Sequence, residues 1–96
     1  MDSVTAADAL LVASELVTNA IRHGGGLTAF HTELTDHGLR LAVGDPSPRP
    51  PVTRPRTGEP GRAGGYGWPL VRRLSAQVDV RTHPHGKTIT AVLRLV

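Results

Sequence analysis

The chain runs to 96 residues with no cysteine and a net charge of +3 at neutral pH, the excess coming from arginine, since Lys87 is the one lysine. That length suits a single compact domain with a modest core; the lack of cysteine excludes a disulfide framework or a thiolate metal site, and no apolar run approaches the roughly 20 residues of a membrane span. With no signal-peptide pattern at its start the chain is expected to be soluble and cytoplasmic, and its basic balance points to an anionic partner: a nucleotide, a nucleic acid or an acidic protein.

Thr5 followed three residues later by Asp8 is a capping-box-like start, and predicts a first helix over about 6–23. At 100° per residue, Leu10, Ala13, Leu16, Val17, Ala20 and Ile21 share one arc, the expected buried face. Glu15 and Asn19 stand four apart on the other side, with Arg22 and His23 one turn on, so a carboxylate, a carboxamide, a guanidinium and an imidazole form one polar strip. A solvated surface face accounts for such a strip as well as a functional one does. Leu11 and Val12 flank Glu15 inside the polar arc, which implies that something covers that side. Asn19 is a poor interior helix residue, costing roughly half a kcal/mol against Ala. Glycines at 24–26 then end the helix.

Leu27 to Leu34 reads as a strand, Asp36-His37-Gly38 as a turn, and Leu39 to Val43 as the second strand of a hairpin. From Pro46 to Gly65, prolines, glycines and the arginines 49, 54, 56 and 62 replace almost everything apolar. An irregular loop of that length inside a small domain usually serves as a lid or binding loop. Gly64-Gly65-Tyr66-Gly67 leads into a second helix, about Trp68 to Ala76, with Pro69 tolerated in its first turn and Leu70, Val71 and Leu74 on its apolar face. Val78 to Thr82 and Thr88 to Leu95 are two further strands joined by His83-Pro84-His85-Gly86. The order α-β-β-lid-α-β-β predicts a single domain over 1–96, of α/β (α+β) class. Its architecture would be a two-layer sandwich of a four-stranded mixed or antiparallel sheet with its helices on one face.

Three features would converge at one end of such a sandwich: the Glu15/Asn19 strip, Asp45 at the end of the second strand, and the glycines before the second helix. A glycine-rich turn opening a helix offers free N–H groups and a positive dipole end to a phosphate. An Asn carbonyl oxygen suits Mg²⁺ already held by phosphates, and a carboxylate such as Asp45 would accept from the exocyclic amino group of adenine. Each feature has a plainer reading. Gly65-x-Gly67 also serves as a helix-entry turn, and Asp45-Pro46 as the start of a bend.

Together and in this order, they resemble the Bergerat-fold (GHKL) ATPases, the superfamily of DNA gyrase B, Hsp90 and histidine kinases. Glu15-Leu16-Val17-Thr18-Asn19-Ala20-Ile21-Arg22-His23-Gly24 looks like the N-box of that superfamily. Val43-Gly44-Asp45-Pro46-Ser47-Pro48 is similar to its first glycine box, Gly65-Tyr66-Gly67-Trp68-Pro69-Leu70-Val71 to its second, and Gly86-Lys87-Thr88 to its closing Gly-x-Thr on the strand beneath adenine. The closer resemblance is to the small anti-sigma-factor serine/threonine kinases and related ATP-binding regulators of actinobacteria, and it covers nearly the whole chain.

The resemblance implies ATP and Mg²⁺ as cofactors, with a lid at about 46–64. Asn19 would bind the metal, Asp45 the adenine amino group, and Thr88 would support Asp45 through water. Gly65 and Gly67 would cradle phosphates, with Leu70 alongside and Arg62 of the lid helping. His23 matches a common N-box histidine, though at a helix end it can equally serve the last carbonyls. Glu15 matches the general base that would activate a serine hydroxyl on a protein substrate. Implied partners are a sigma factor, an anti-anti-sigma factor and a second copy of the chain. Departures from the pattern are Pro46-Ser47-Pro48 where many relatives have glycines, Tyr66 for arginine, and Trp68 for a smaller aliphatic. The chain also begins almost at the N-box, without the strand and helix that usually precede it, which agrees with Leu11 and Val12 lacking an obvious partner.

Rival readings are a basic nucleic-acid-binding module, a metal site at His83-x-His85 with His31 or His37, and the same fold acting as a non-catalytic protein-binding regulator. Only Phe30, Tyr66 and Trp68 are aromatic, which leaves few stacking platforms for nucleic acid. The histidines lack a nearby Cys or carboxylate cluster.

Overall fold

The computed structural model describes residues 3–51 and 67–95. Helix α1 (Ser3–His23) is followed by strands β1 (Ala29–Thr35) and β2 (Gly38–Asp45), helix α2 (Gly67–Leu74), and strands β3 (Gln77–His83) and β4 (Gly86–Leu93). The strands form one sheet in the order β1-β2-β4-β3, antiparallel at every pairing, so the mixed alternative is set aside. Both hairpins close with two-residue loops: Thr35 pairs with Gly38, and His83 with Gly86. At the first, the Thr35 hydroxyl accepts from the His37 N–H at 3.1 Å and donates to the Gly38 carbonyl at 3.0 Å.

Helix α1 starts at Ser3, so Thr5 stands inside the first turn and not at its cap. Its other end follows the glycine expectation: Gly25 has φ +85°, and the Gly26 N–H donates to the Ala20 carbonyl at 2.9 Å. The buried face is rotated from the predicted arc. Ala9, Val12, Leu16 and Ala20, spaced as one helical row, enter the core, whereas Leu10 and Ile21 are 70% and 59% exposed. Val12 is thus an inward core residue and needs no extra cover, while Leu11 is 41% exposed.

The core lies between the two helices and the central strands. Leu41 and Val43 of β2 and Ile89, Ala91 and Leu93 of β4 face Leu16, Trp68 and Val71. Full burial of one such aliphatic side chain contributes about 1.5–3 kcal/mol. Trp68, a departure from the resembled pattern, is part of this core and only 7% exposed. Helix α1 packs over β2 and β4, and α2 beside it over β3. Among the described residues, that arrangement leaves the helix side of edge strand β1 largely uncovered. Phe30 and Leu34 pair with Val43 and Leu39 and so share their face of the sheet, yet both are exposed. Among the described residues no helix is long and apolar enough to cross a membrane.

Candidate functional site

The site is built where the end of β2, the start of β4, the end of α1 and the start of α2 meet. Alternation along β2 puts Leu41, Val43 and Asp45 on the helix-facing side; the first two enter the core and the third ends the strand. Asp45 is 3% exposed. Its carboxylate is fixed from three directions. Oδ1 accepts from the Ser47 N–H at 2.8 Å, an Asx-type turn that starts the proline-rich segment. Gly24 lies flush against the carboxyl group, where a side chain would collide with it. From β4, Lys87 Nζ donates to Oδ1 at 3.0 Å and lies 2.9 Å from Oδ2.

Lys87 is 5% exposed and stands directly across from Asp45 in the β2–β4 register, with its ammonium also 3.4 Å from the Ser47 carbonyl. Register assigns Thr88 to Gly44, and alternation turns its side chain to the face away from the helices. The expected support of Asp45 by Thr88 is therefore corrected: the neighbouring residue, Lys87, makes that contact. The inward series Ile89, Ala91 and Leu93 runs back by twos to Lys87, so strand periodicity held the signal once the strand is started at Gly86.

On α1, Glu15 and Asn19 are half-buried on the flank that faces α2. Gly67, the first residue of α2, is buried directly beneath the Glu15 carboxylate, and a Cβ there would overlap Glu15 Oε2. An anion therefore already sits at the positive end of α2. His23 is exposed in the last turn of α1 beside Arg22, where a cation suits the helix dipole. Leu70 is half-buried on α2. Arg62, Gly65, Tyr66 and most of the lid lie outside the described residues. A concavity of about 470 Å³ at the other end of the sheet, lined by Thr35–Gly38, Gln77 and Arg94, includes none of these residues. Among the described residues, no three His, Asp or Glu side chains are grouped to hold a metal; His31, His37, His83 and His85 are all exposed.

The donor set fits a purine triphosphate in kind: a strand-end carboxylate for an amino group, a half-buried carboxamide, and a glycine-opened helix. The geometry also shows Asp45 already engaged by Lys87, while the Glu15 carboxylate lies against the start of α2.

Comparison with known proteins agrees with this architecture. The family model described as "histidine kinase-like ATPase domain" matches residues 1–93. Among solved structures, the blue-light activated histidine kinase of Erythrobacter litoralis EL346 is similar with a TM-score of 0.67 and 23% identity, over 99% of this chain and 32% of that one. A structure of the histidine kinase domain of that protein aligns with a TM-score of 0.64 and 23% identity, over 95% of this chain and 45% of the other. The chain thus spans less than half the length of these structures, and the likeness is one of fold. None of the curated proteins compared matches it significantly.

Proposed function

The chain belongs to the histidine kinase-like ATPase domain family, which supports an ATP-binding regulatory role, and on that premise we propose that it is an anti-sigma-factor serine/threonine kinase. In this reading it binds a sigma factor, phosphorylates an anti-anti-sigma partner and works as a cytoplasmic homodimer. The observation that carries the reading is the placement of Glu15 at the N-terminus of α2, with Asn19 one turn on along the same flank.

ATP would supply the phosphoryl group and Mg²⁺ the charge neutralisation. Asn19 would hold the metal through its carboxamide oxygen, Gly67 would let phosphate approach the backbone, and Asp45 would accept from the base. Glu15 would take the proton of a substrate hydroxyl once it leaves the helix end. Catalysis of this kind is mostly positioning and electrostatics. A protein partner is supported by the apolar flank of Leu10, Ile21, Phe30 and Leu34, exposed among the described residues, since exposed apolar surface of that sort usually marks an interaction face.

A second reading, the same fold regulating by binding alone, is favoured by the engagement of Asp45 with Lys87. Incubation with labelled ATP and a candidate anti-anti-sigma protein separates the two. Label transfer that disappears in Glu15→Ala supports the kinase. Transfer that survives the substitution removes Glu15 from its role, and no transfer despite ATP binding supports the binder.

A further inference from the structure

We propose that Lys87 mutes the purine selectivity of this site, by holding Asp45 in an internal ion pair that already serves the carboxylate an incoming base would use. The inference rests on the reading of Asp45 as the base-binding carboxylate, and deepens it.

The argument is one of hydrogen-bonding capacity. An ionised carboxylate offers about four acceptor positions. In this chain the Ser47 N–H and Lys87 Nζ use Oδ1, and Lys87 Nζ also reaches Oδ2. Among the described residues, one acceptor position on Oδ2 remains, and Gly24 closes over the group from the α1 side. Lys87 is committed as well: two of its N–H groups serve Asp45, and the third points to the Ser47 carbonyl at 3.4 Å. With the side chains of Asp45 and Lys87 3% and 7% exposed, the pair is shut from solvent.

The competing ligands are unequal. Both donate to an ionised carboxylate, but the purine amino group is neutral, whereas the ammonium adds the attraction of a full positive charge in a buried setting. The amino group therefore gains little at a carboxylate that Lys87 already serves, and purines with and without it should bind alike. Lys87 is a specificity-determining residue in this sense: its presence mutes the feature by which adenine would be read.

Calorimetric titration of the intact chain with Mg-ATP and with purine riboside triphosphate, which lacks the amino group, tests this. Wild-type affinities for the two should agree within about threefold, and Lys87→Met should bind ATP about tenfold more tightly while gaining little for the analogue. A wild-type preference for ATP of about tenfold or more overturns the proposal and leaves the role of Asp45 intact. So does a Lys87→Met chain that gains nothing for ATP while Asp45→Asn still weakens it. If Asp45→Asn changes ATP affinity in neither background, the base-binding reading fails and the proposal with it. Should Lys87→Met not fold, Lys87→Arg keeps the cation with a two-pronged grip. It should bind ATP no more tightly than wild type and show the same indifference to the amino group; an Arg variant that prefers ATP overturns the proposal.

Discussion

The ammonium of Lys87 lies 3.0 Å from one oxygen of Asp45 and 2.9 Å from the other, so a single cation spans the carboxylate at the end of β2. Desolvating two charges offsets most of their attraction, and such a pair adds little net stability over apolar residues of the same shape. Removing one member is a different matter, because the other is left buried and uncompensated. Lys87→Met should destabilise the fold by about 3–5 kcal/mol, and Asp45→Leu by a similar amount. The double variant Asp45→Leu with Lys87→Met should recover most of the loss. Urea denaturation of the four chains checks this, and strictly additive losses would refute the coupling.

Gly67 and Glu15 form a second tight pair. A methyl group at position 67 meets the end of the flexible Glu15 side chain, so Gly67→Ala should push that carboxylate off the start of α2 at a cost of no more than about 1 kcal/mol. Shortening the opposing side chain in Glu15→Ala should relieve that penalty. Thermal melts of the single and double variants read it directly; equal losses in both backgrounds would show that Glu15 is not the obstacle.

The rotation of α1 separates residues that share one apolar arc in the sequence. Leu16 is fully buried and Leu10 is 70% exposed. Leu16→Ala should therefore lose about 2–5 kcal/mol, whereas Leu10→Ala should stay within about 0.5 kcal/mol of wild type. Chemical denaturation distinguishes them, and comparable losses would place the helix in the orientation that the periodicity alone suggests.

Mg-ATP should raise the melting temperature, as any ligand selective for the folded state does. Asn19→Ala should abolish the shift if the carboxamide holds the metal, and GTP serves as the control. Stabilisation by oligonucleotides with no effect of ATP would instead favour the nucleic-acid reading.

The order of the elements was legible because turn chemistry marks it plainly: glycines end α1, and polar or proline-containing pairs close both hairpins. The orientation of α1 was not. Hydrophobic periodicity finds an apolar arc, but Leu10 and Ile21 lie beside it on the β1 flank, where no described element covers them. Only the sheet's placement decides between Val12 and Leu10 for the core. At the site, Asp45 and the Glu15/Asn19 strip stood out by residue type. Lys87 does not stand out, because the run of β-forming residues starts at Thr88, two residues after the strand itself begins. In a strand of period two, a closing motif does not say which of two adjacent residues turns inward; alternation through Ile89, Ala91 and Leu93 does.

The same alternation gives the buried charges a consequence for how the strands find one another. Slide β4 by one position against β2 and the lysine swings outward, a threonine takes its place beneath the helices, and an anion is stranded in an apolar interior. Misaligned sheets are thereby penalised far more heavily than the correct one is rewarded. The two side chains act as a proofreading mark on the central hairpin-to-hairpin seam, whatever they later do for a ligand.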